Sequence, residues 1–167
     1  RLAAAYQNGI TGDEIVPFVY PATKKTPEIR IDKDEFPKPA TTVEGLSKLR
    51  SVMPGGVTTA GNASGRNDGA AFLLMMSADK AKELGLKPLA KIRGMGTAGC
   101  DPRLMGLGPV YAVPKALENA GLTMDDIQLI ELNEAFAAQS MGCIKLLGWE
   151  DKMDIINVNG GAIALGH

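Results

Sequence analysis

A chain of 167 residues is long enough for one domain or for parts of two, and its formal net charge of −1 gives it no electrostatic pull toward nucleic acid. With 45% apolar and 22% charged residues it reads as a soluble globular protein. No apolar run approaches the ~20 residues of a membrane span, so neither nucleic acid nor membrane is expected as a partner.

Arg1 opens inside an Ala-rich helical pattern that Asn8-Gly9 stops. No initiator Met or signal peptide precedes it, so the chain is expected to be part of a longer one. Residues 14–20 (EIVPFVY) predict a strand that Pro17 confines to an edge or bulge. Residues 23–39 are polar and Pro-rich, and Glu28-Ile29-Arg30-Ile31 predicts a short surface strand within them. Thr41 to Glu44 fits a capping box, with Thr41 as N-cap. The helix after it is expected to reach about Arg50 with Leu46 and Leu49 inward, and Pro54-Gly55-Gly56 ends it. The small, Gly-rich stretch 57–70 is either a loop that lets a ligand approach the backbone or a plain connection. Residues 70–77 (AAFLLMMS) predict a short buried strand or helix end, and periodicity does not decide which.

Ser77 caps a predicted helix over 78–84 that Gly85 stops, and the composition shift at Gly85 to Pro88 marks a boundary. A strand is expected over 89–98 and a second Gly-rich loop over 99–108. A helix follows over 109–120, closed by Gly121, with Pro114 expected to kink or delay it. After a turn at 123–126 come a strand (127–132), a helix (134–147, stopped by Gly148) and a strand (155–158). Together they form one βαβ unit, whose strands should run parallel with a right-handed crossover.

In such a unit, ligands collect beyond the carboxyl ends of the strands. Asn133 follows one strand, and Gly160 to His167 follow the other. Asn133 reads as the N-cap of the next helix or as an amide that orients a water or oxyanion, and the two do not exclude each other. Glu134 complements the dipole of that helix. His167 is the chain's single histidine and has glycines on its approach, which suits a general base or an oxyanion donor. Cys143 reads as a small buried hydrophobe, and Cys100, near Arg103, as either a reactive thiol or a plain loop residue. Two cysteines and one histidine make neither a disulfide framework nor a metal site, and the default setting is reducing and intracellular. The methionines read as core.

These motifs carry a family resemblance. Asn133-Glu134-Ala135-Phe136-Ala137, followed by residues 157–167 (NVNGGAIALGH), resembles the thiolase family, the acetyl-CoA acetyltransferases and 3-ketoacyl-CoA thiolases. Residues 59–65 (TAGNASG), 68–71 (DGAA), 105–109 (MGLGP) and 14–17 (EIVP) are similar to other typical stretches of it, so the resemblance covers essentially the whole chain. It implies an α/β fold of the layered α-β-α-β-α kind, incomplete here. Residues 1–65 would end the loop domain, 66–87 close the N-terminal half, and 88–167 begin the C-terminal half.

The implied reaction is Claisen condensation of acyl-CoA, or thiolytic cleavage of 3-ketoacyl-CoA, through a cysteine acyl-enzyme. Coenzyme A is then substrate or product, with no other cofactor and no metal. His167 resembles the histidine that activates the nucleophile and polarises the thioester oxygen, and Asn133 the residue that holds an oxyanion-hole water. Ser64 resembles the pantetheine contact, with Ala60 nearby, and Met105, Ala135 and Phe136 the apolar tunnel walls. The family assembles as homodimers or homotetramers, in the cytoplasm or, in eukaryotes, in mitochondria or peroxisomes.

Departures accompany the resemblance. The family's nucleophilic cysteine would lie before Arg1 and its acid/base cysteine after His167, and Cys100 and Cys143 match neither, so residues 1–167 alone are expected to be inactive. Gly45 stands where a Ser often sits, and the stretch at Val52-Met53-Pro54 is one residue short. A competing reading is a non-catalytic coenzyme A or lipid-binding relative. A third, a related condensing or decarboxylating acyltransferase, is disfavoured because those enzymes usually present a second histidine where Asn133 stands.

Overall fold

The computed structural model describes residues 1–167. It contains six α-helices: α1 (Leu2–Gln7), α2 (Val43–Ser47), α3 (Ala78–Glu83), α4 (Gly108–Ala120), α5 (Ala137–Leu147) and α6 (Ala162–Leu165). Strands β1 (Phe18–Tyr20) and β2 (Ile29–Ile31) form one hairpin. Four glycines read as helix stops do stop helices. Gly9, Gly85, Gly121 and Gly148 follow α1, α3, α4 and α5 with φ between 65 and 69°, a conformation that favours glycine. After each, the next amide reaches back five residues: Ile10 to Ala5, Leu86 to Ala81, Leu122 to Leu117, Trp149 to Ile144. These are Schellman closures, and at α5 they come with burial of both Ile144 and Trp149.

The chain divides into two units, residues 1–67 with 128–167, and residues 68–127. In the first, β1 pairs antiparallel with β2, Phe18 opposite Ile31 and Tyr20 opposite Ile29. The strand expected over 14–20 shrinks to its last three residues, because Pro17 has no N–H to give a ladder. The N-cap of α2 is Thr42, not Thr41: the Thr42 hydroxyl accepts from Gly45 N–H at 3.1 Å. Glu44 does not reach back to close a capping box but pairs with Lys48 one turn on. The helix ends at Ser47, and Leu46 and Leu49 remain 37% and 41% exposed, so the inward face expected for them is only partly realised.

The core of this unit is Leu2, Ala5, Leu132, Cys143, Ile144, Trp149, Ile156 and Ala162. It forms where α1 and α5 meet the two short segments around Ile130 and Ile156. Those segments do run parallel, as a βαβ unit requires, but pair through a single bridge rather than as full strands. Ile130 N–H donates to Ile155 C=O at 2.9 Å and Asn157 N–H to Ile130 C=O at 2.8 Å.

The second unit holds α3, a 3₁₀ segment at Pro102–Leu107, α4, and a 3₁₀ turn at Met124–Asp126. Asp126 accepts from both the amide and the hydroxyl of Thr123, a capping box that lowers its carboxyl pKa. α4 starts at Gly108 and continues through Pro114 to Ala120, so the proline expected to kink or delay the helix does not delay it. Residues 94–97 lie along α4. A Cβ on Gly96 would strike the Ala112 carbonyl and the Ala116 amide, and Lys115 and Asn119 donate to the Thr97 and Met95 carbonyls. The segments 70–77 and 89–98 form no strand here. Phe72 is 94% exposed and Leu89 fully so, and Ala81 is the unit's one buried residue, so the buried strand or helix end expected at 70–77 is corrected to an irregular, solvent-facing run.

Candidate functional site

Three stretches far apart in sequence meet within the first unit: 59–67, 133–137 and 160–167. Antiparallel pairing joins the first two, with Ala63 opposite Phe136. Ser64 N–H donates to Ala135 C=O at 3.0 Å, and Ala137 N–H to Asn62 C=O at 2.8 Å. The third stretch joins through His167, whose N–H donates to Gly65 C=O at 2.9 Å. Ladder bonds of this kind hold loops as firmly as strands, because each satisfies a group that would otherwise need water.

This pairing decides the role of Asn133. Phe136 is held extended, so α5 begins at Ala137 with Phe136 as its N-cap. Asn133 therefore caps no helix, and the N-cap alternative is overturned. Its amide instead meets the imidazole: Asn133 Nδ2 lies 3.0 Å from His167 Nε2, at an exposed position. An amide nitrogen only donates, so the contact is a hydrogen bond in the tautomer that leaves Nε2 bare. The Asn133 amide and the His167 imidazole thus meet at the surface.

Glu134 is likewise not at the N-terminus of α5. Its carboxylate accepts from Asn157 Nδ2 at 3.0 Å through one oxygen and from Ile163 N–H, in the first turn of α6, at 3.2 Å through the other. Asn157 is 4% exposed and has φ of 47°, a left-handed conformation that asparagine tolerates better than most residues. Its side chain continues the ladder where the backbone leaves it. Oδ1 accepts from Leu132 N–H at 2.7 Å, and Nδ2 donates to Leu132 C=O at 2.8 Å. Gly161 leaves the room for this, since a Cβ there would overlap the Glu134 carboxylate. Leu132 and Glu134, the two neighbours of Asn133, are both fixed by Asn157.

The other expected site residues distribute as follows. Ser64 is half-buried and its hydroxyl donates to Ala135 C=O at 3.1 Å, which leaves an oxygen lone pair to accept from a ligand. Ala60 is exposed at the tip of a turn closed by Thr59 and Asn62. Ala135 is half-buried, and the Phe136 ring is 42% exposed. Met105 is exposed and belongs to the second unit. Cys100 also belongs to that unit; Arg103 there pairs with Asp101 at 2.6 Å rather than with the thiol, and this pairing lowers the Asp101 pKa and raises that of Arg103. Cys143 is fully buried in α5, and burial raises its thiol pKa. A small open pocket of about 190 Å³ beside the site is lined by Met141 and Ile144 of α5 and by Met153, Ile156 and Ile163, with Glu134 among its polar residues.

Sequence reasoning missed Asn157 and the bracing role of Glu134. The available signal was the Asn at the end of an apolar run before two glycines, with an acid in the facing loop.

Family models match nearly the whole chain. Residues 1–79 match the N-terminal domain of thiolase and residues 86–167 its C-terminal domain. The chain belongs to the thiolase family. It is 55% identical over 168 residues to an acetyl-CoA acetyltransferase of Chromobacterium violaceum, covering 100% of this chain and 42% of that protein. It is 59% identical over 139 residues to a 3-ketoacyl-CoA thiolase of Colwellia psychrerythraea, covering 82% of this chain and 36% of the relative. Among solved structures, the acetyl-CoA acetyltransferase of Bacillus anthracis superposes with a TM-score of 0.92 at 44% identity, over 99% of this chain and 41% of the other. Human mitochondrial 3-ketoacyl-CoA thiolase gives 0.87 at 43% identity, over 99% and 41%. The α/β fold is thus a partial thiolase fold, and the chain spans about two-fifths of the length of the relatives it matches. No helix is long and apolar enough to cross a membrane.

Proposed function

We propose that residues 1–167 supply half of the active site of an acyl-CoA acyltransferase that condenses acyl-CoA or cleaves 3-ketoacyl-CoA. The 3.0 Å approach of Asn133 Nδ2 to His167 Nε2 carries this reading. Nε2 has one lone pair, so as the imidazole takes the proton of a cysteine thiol supplied from outside residues 1–167, the hydrogen bond from Asn133 Nδ2 opens. Once it has that proton, Nε2 becomes a donor. It then faces the same point as the Asn133 amide, and a thioester oxygen there meets two donors as its charge develops. Ser64 receives the pantetheine amide on its free lone pair, and Ala60, Ala135 and Phe136 line the path of the arm. Coenzyme A is substrate or product, no other cofactor is used, and the full-length protein works as a homodimer or homotetramer in the cytoplasm, or in mitochondria or peroxisomes of a eukaryote.

A second reading, coenzyme A binding without turnover, is favoured by one observation. Cys143, the cysteine of the unit that holds the site, is fully buried and presents no thiol to it.

Acetoacetyl-CoA thiolysis separates the two. Purified 1–167 should show none. A full-length protein containing it should turn over, and Asn133→Ala should lower kcat by about 10²-fold with KM little changed, as for loss of one oxyanion donor. Cleavage by 1–167 alone, or an Asn133→Ala enzyme of full activity, refutes the reading. Binding of coenzyme A by the full-length protein with no turnover supports the second.

A further inference from the structure

We propose that Glu134 is a positioning residue: acting through Asn157 and Ile163, it sets the spacing between Asn133 and His167. The inference rests on reading that pair as the working site.

Both oxygens of Glu134 are engaged, and they pull in different directions. One holds Asn157 Nδ2, whose parent amide also clasps both backbone groups of Leu132. The other holds Ile163 N–H, four residues before His167 and joined to it by α6 and Gly166. Asn133 is therefore anchored on its N-terminal side through Leu132 and on its C-terminal side through Glu134. His167 is anchored behind by the same carboxylate and in front by Gly65 C=O. One carboxylate thus ties the loop that presents the amide to the loop that presents the imidazole. Its contact with Gly161, where no Cβ fits, fixes how closely the two loops approach.

The chemistry of the bracket makes it separable from its shape. Both groups that face Glu134 are donors. A glutamine has the same outline but offers one acceptor and one NH₂, so one of its arms must point a donor at a donor. Glu134→Gln should release one loop from the other while leaving the helices and the core untouched.

His167 is the one histidine of the chain, so its imidazole nitrogens give a single, unambiguous pair of ¹⁵N resonances. The experiment records them on the 167-residue chain about two pH units above the ordinary imidazole range. Backbone amide spectra report the fold. In the unsubstituted chain Nε2 should resonate as an unprotonated, hydrogen-bond-accepting nitrogen. In Glu134→Gln, Nε2 should move toward the protonated position while the amide spectrum away from the three loops stays in place. Glu131→Gln, which changes an exposed neighbouring carboxylate, should leave the resonances unmoved.

A bare Nε2 in both the unsubstituted and the Glu134→Gln chains overturns the positioning role alone. Loss of the whole fold in Glu134→Gln overturns it too, since a positioning residue leaves the fold standing. A protonated Nε2 in the unsubstituted chain refutes the Asn133–His167 contact itself, and the proposal falls with it.

Discussion

Gly161→Ala tests whether the carboxylate of Glu134 is held or merely nearby. The backbone at Gly161 is extended, with φ −122° and ψ −175°, and alanine adopts that conformation without strain. Any cost must therefore come from the new Cβ, which overlaps the Glu134 carboxylate. The end of a free glutamate would swing away at almost no cost. Here it must leave Asn157 Nδ2 and Ile163 N–H, two hydrogen bonds to a charged acceptor, each worth ~1.5–3 kcal/mol. The site is only half-buried, so the lower end applies to each bond, and a loss of about 3 kcal/mol is expected. In a Glu134→Ala background the Cβ enters vacated space. There the substitution should be neutral or gain ~0.5 kcal/mol, because alanine restricts the unfolded chain more than glycine does. The double-mutant cycle should thus give a coupling of about 3 kcal/mol. Urea denaturation followed by the fluorescence of Trp149, the single and buried tryptophan, measures it. Equal losses in both backgrounds would show that Gly161 is required for some reason other than Glu134.

Two further predictions concern groups outside the site. Cys143 is fully buried with a raised thiol pKa, whereas Cys100 is partly accessible, so a thiol reagent should label one cysteine quickly and the second only on unfolding; two fast equivalents would contradict the burial. Tyr6 has its pKa pushed up to about 12, first by burial and then by its 2.5 Å hydrogen bond to Asp34 and the charge of that carboxylate. Its folded pKa exceeds the unfolded value near ~10, so the folded chain holds more protons between those limits; the stability this adds is intact below pH ~10 and lost as pH rises toward 12. Tyr6→Phe should flatten that decline, and an unchanged alkaline denaturation profile would refute the assignment.

Helix ends were legible because they are local events. Gly148 stops α5 by a conformation that glycine adopts cheaply, and its partners lie within five residues. The same holds for Gly9, Gly85 and Gly121. Thr42 rather than Thr41 caps α2 because two adjacent threonines compete for one role, and the pattern S/T-x-x-E does not see which of them the backbone turns outward. Strands were less legible. The apolar run at 70–77 describes one segment, whereas a ladder needs two, and within residues 1–167 nothing pairs with Phe72 to Met76. The pattern is a property of the segment; its burial is a property of a partner.

The site shows the same division between local and distant causes, with a sharper consequence. Read locally, Asn133 before Glu134-Ala135 is a good N-cap, and Glu134 a good complement to a helix dipole. Neither holds, because Ala63 and Asn62, some seventy residues earlier, pull Phe136 and Ala137 into an extended pairing and delay the helix to Ala137. That delay frees the two side chains. Asn133 turns to His167, and Glu134 turns to Asn157 and Ile163. A motif such as NEAFA therefore has its residue types set by distant partners rather than by the helix it introduces. The amide and the acid are useful here because a long-range contact has relieved both of the local roles that their spacing implies.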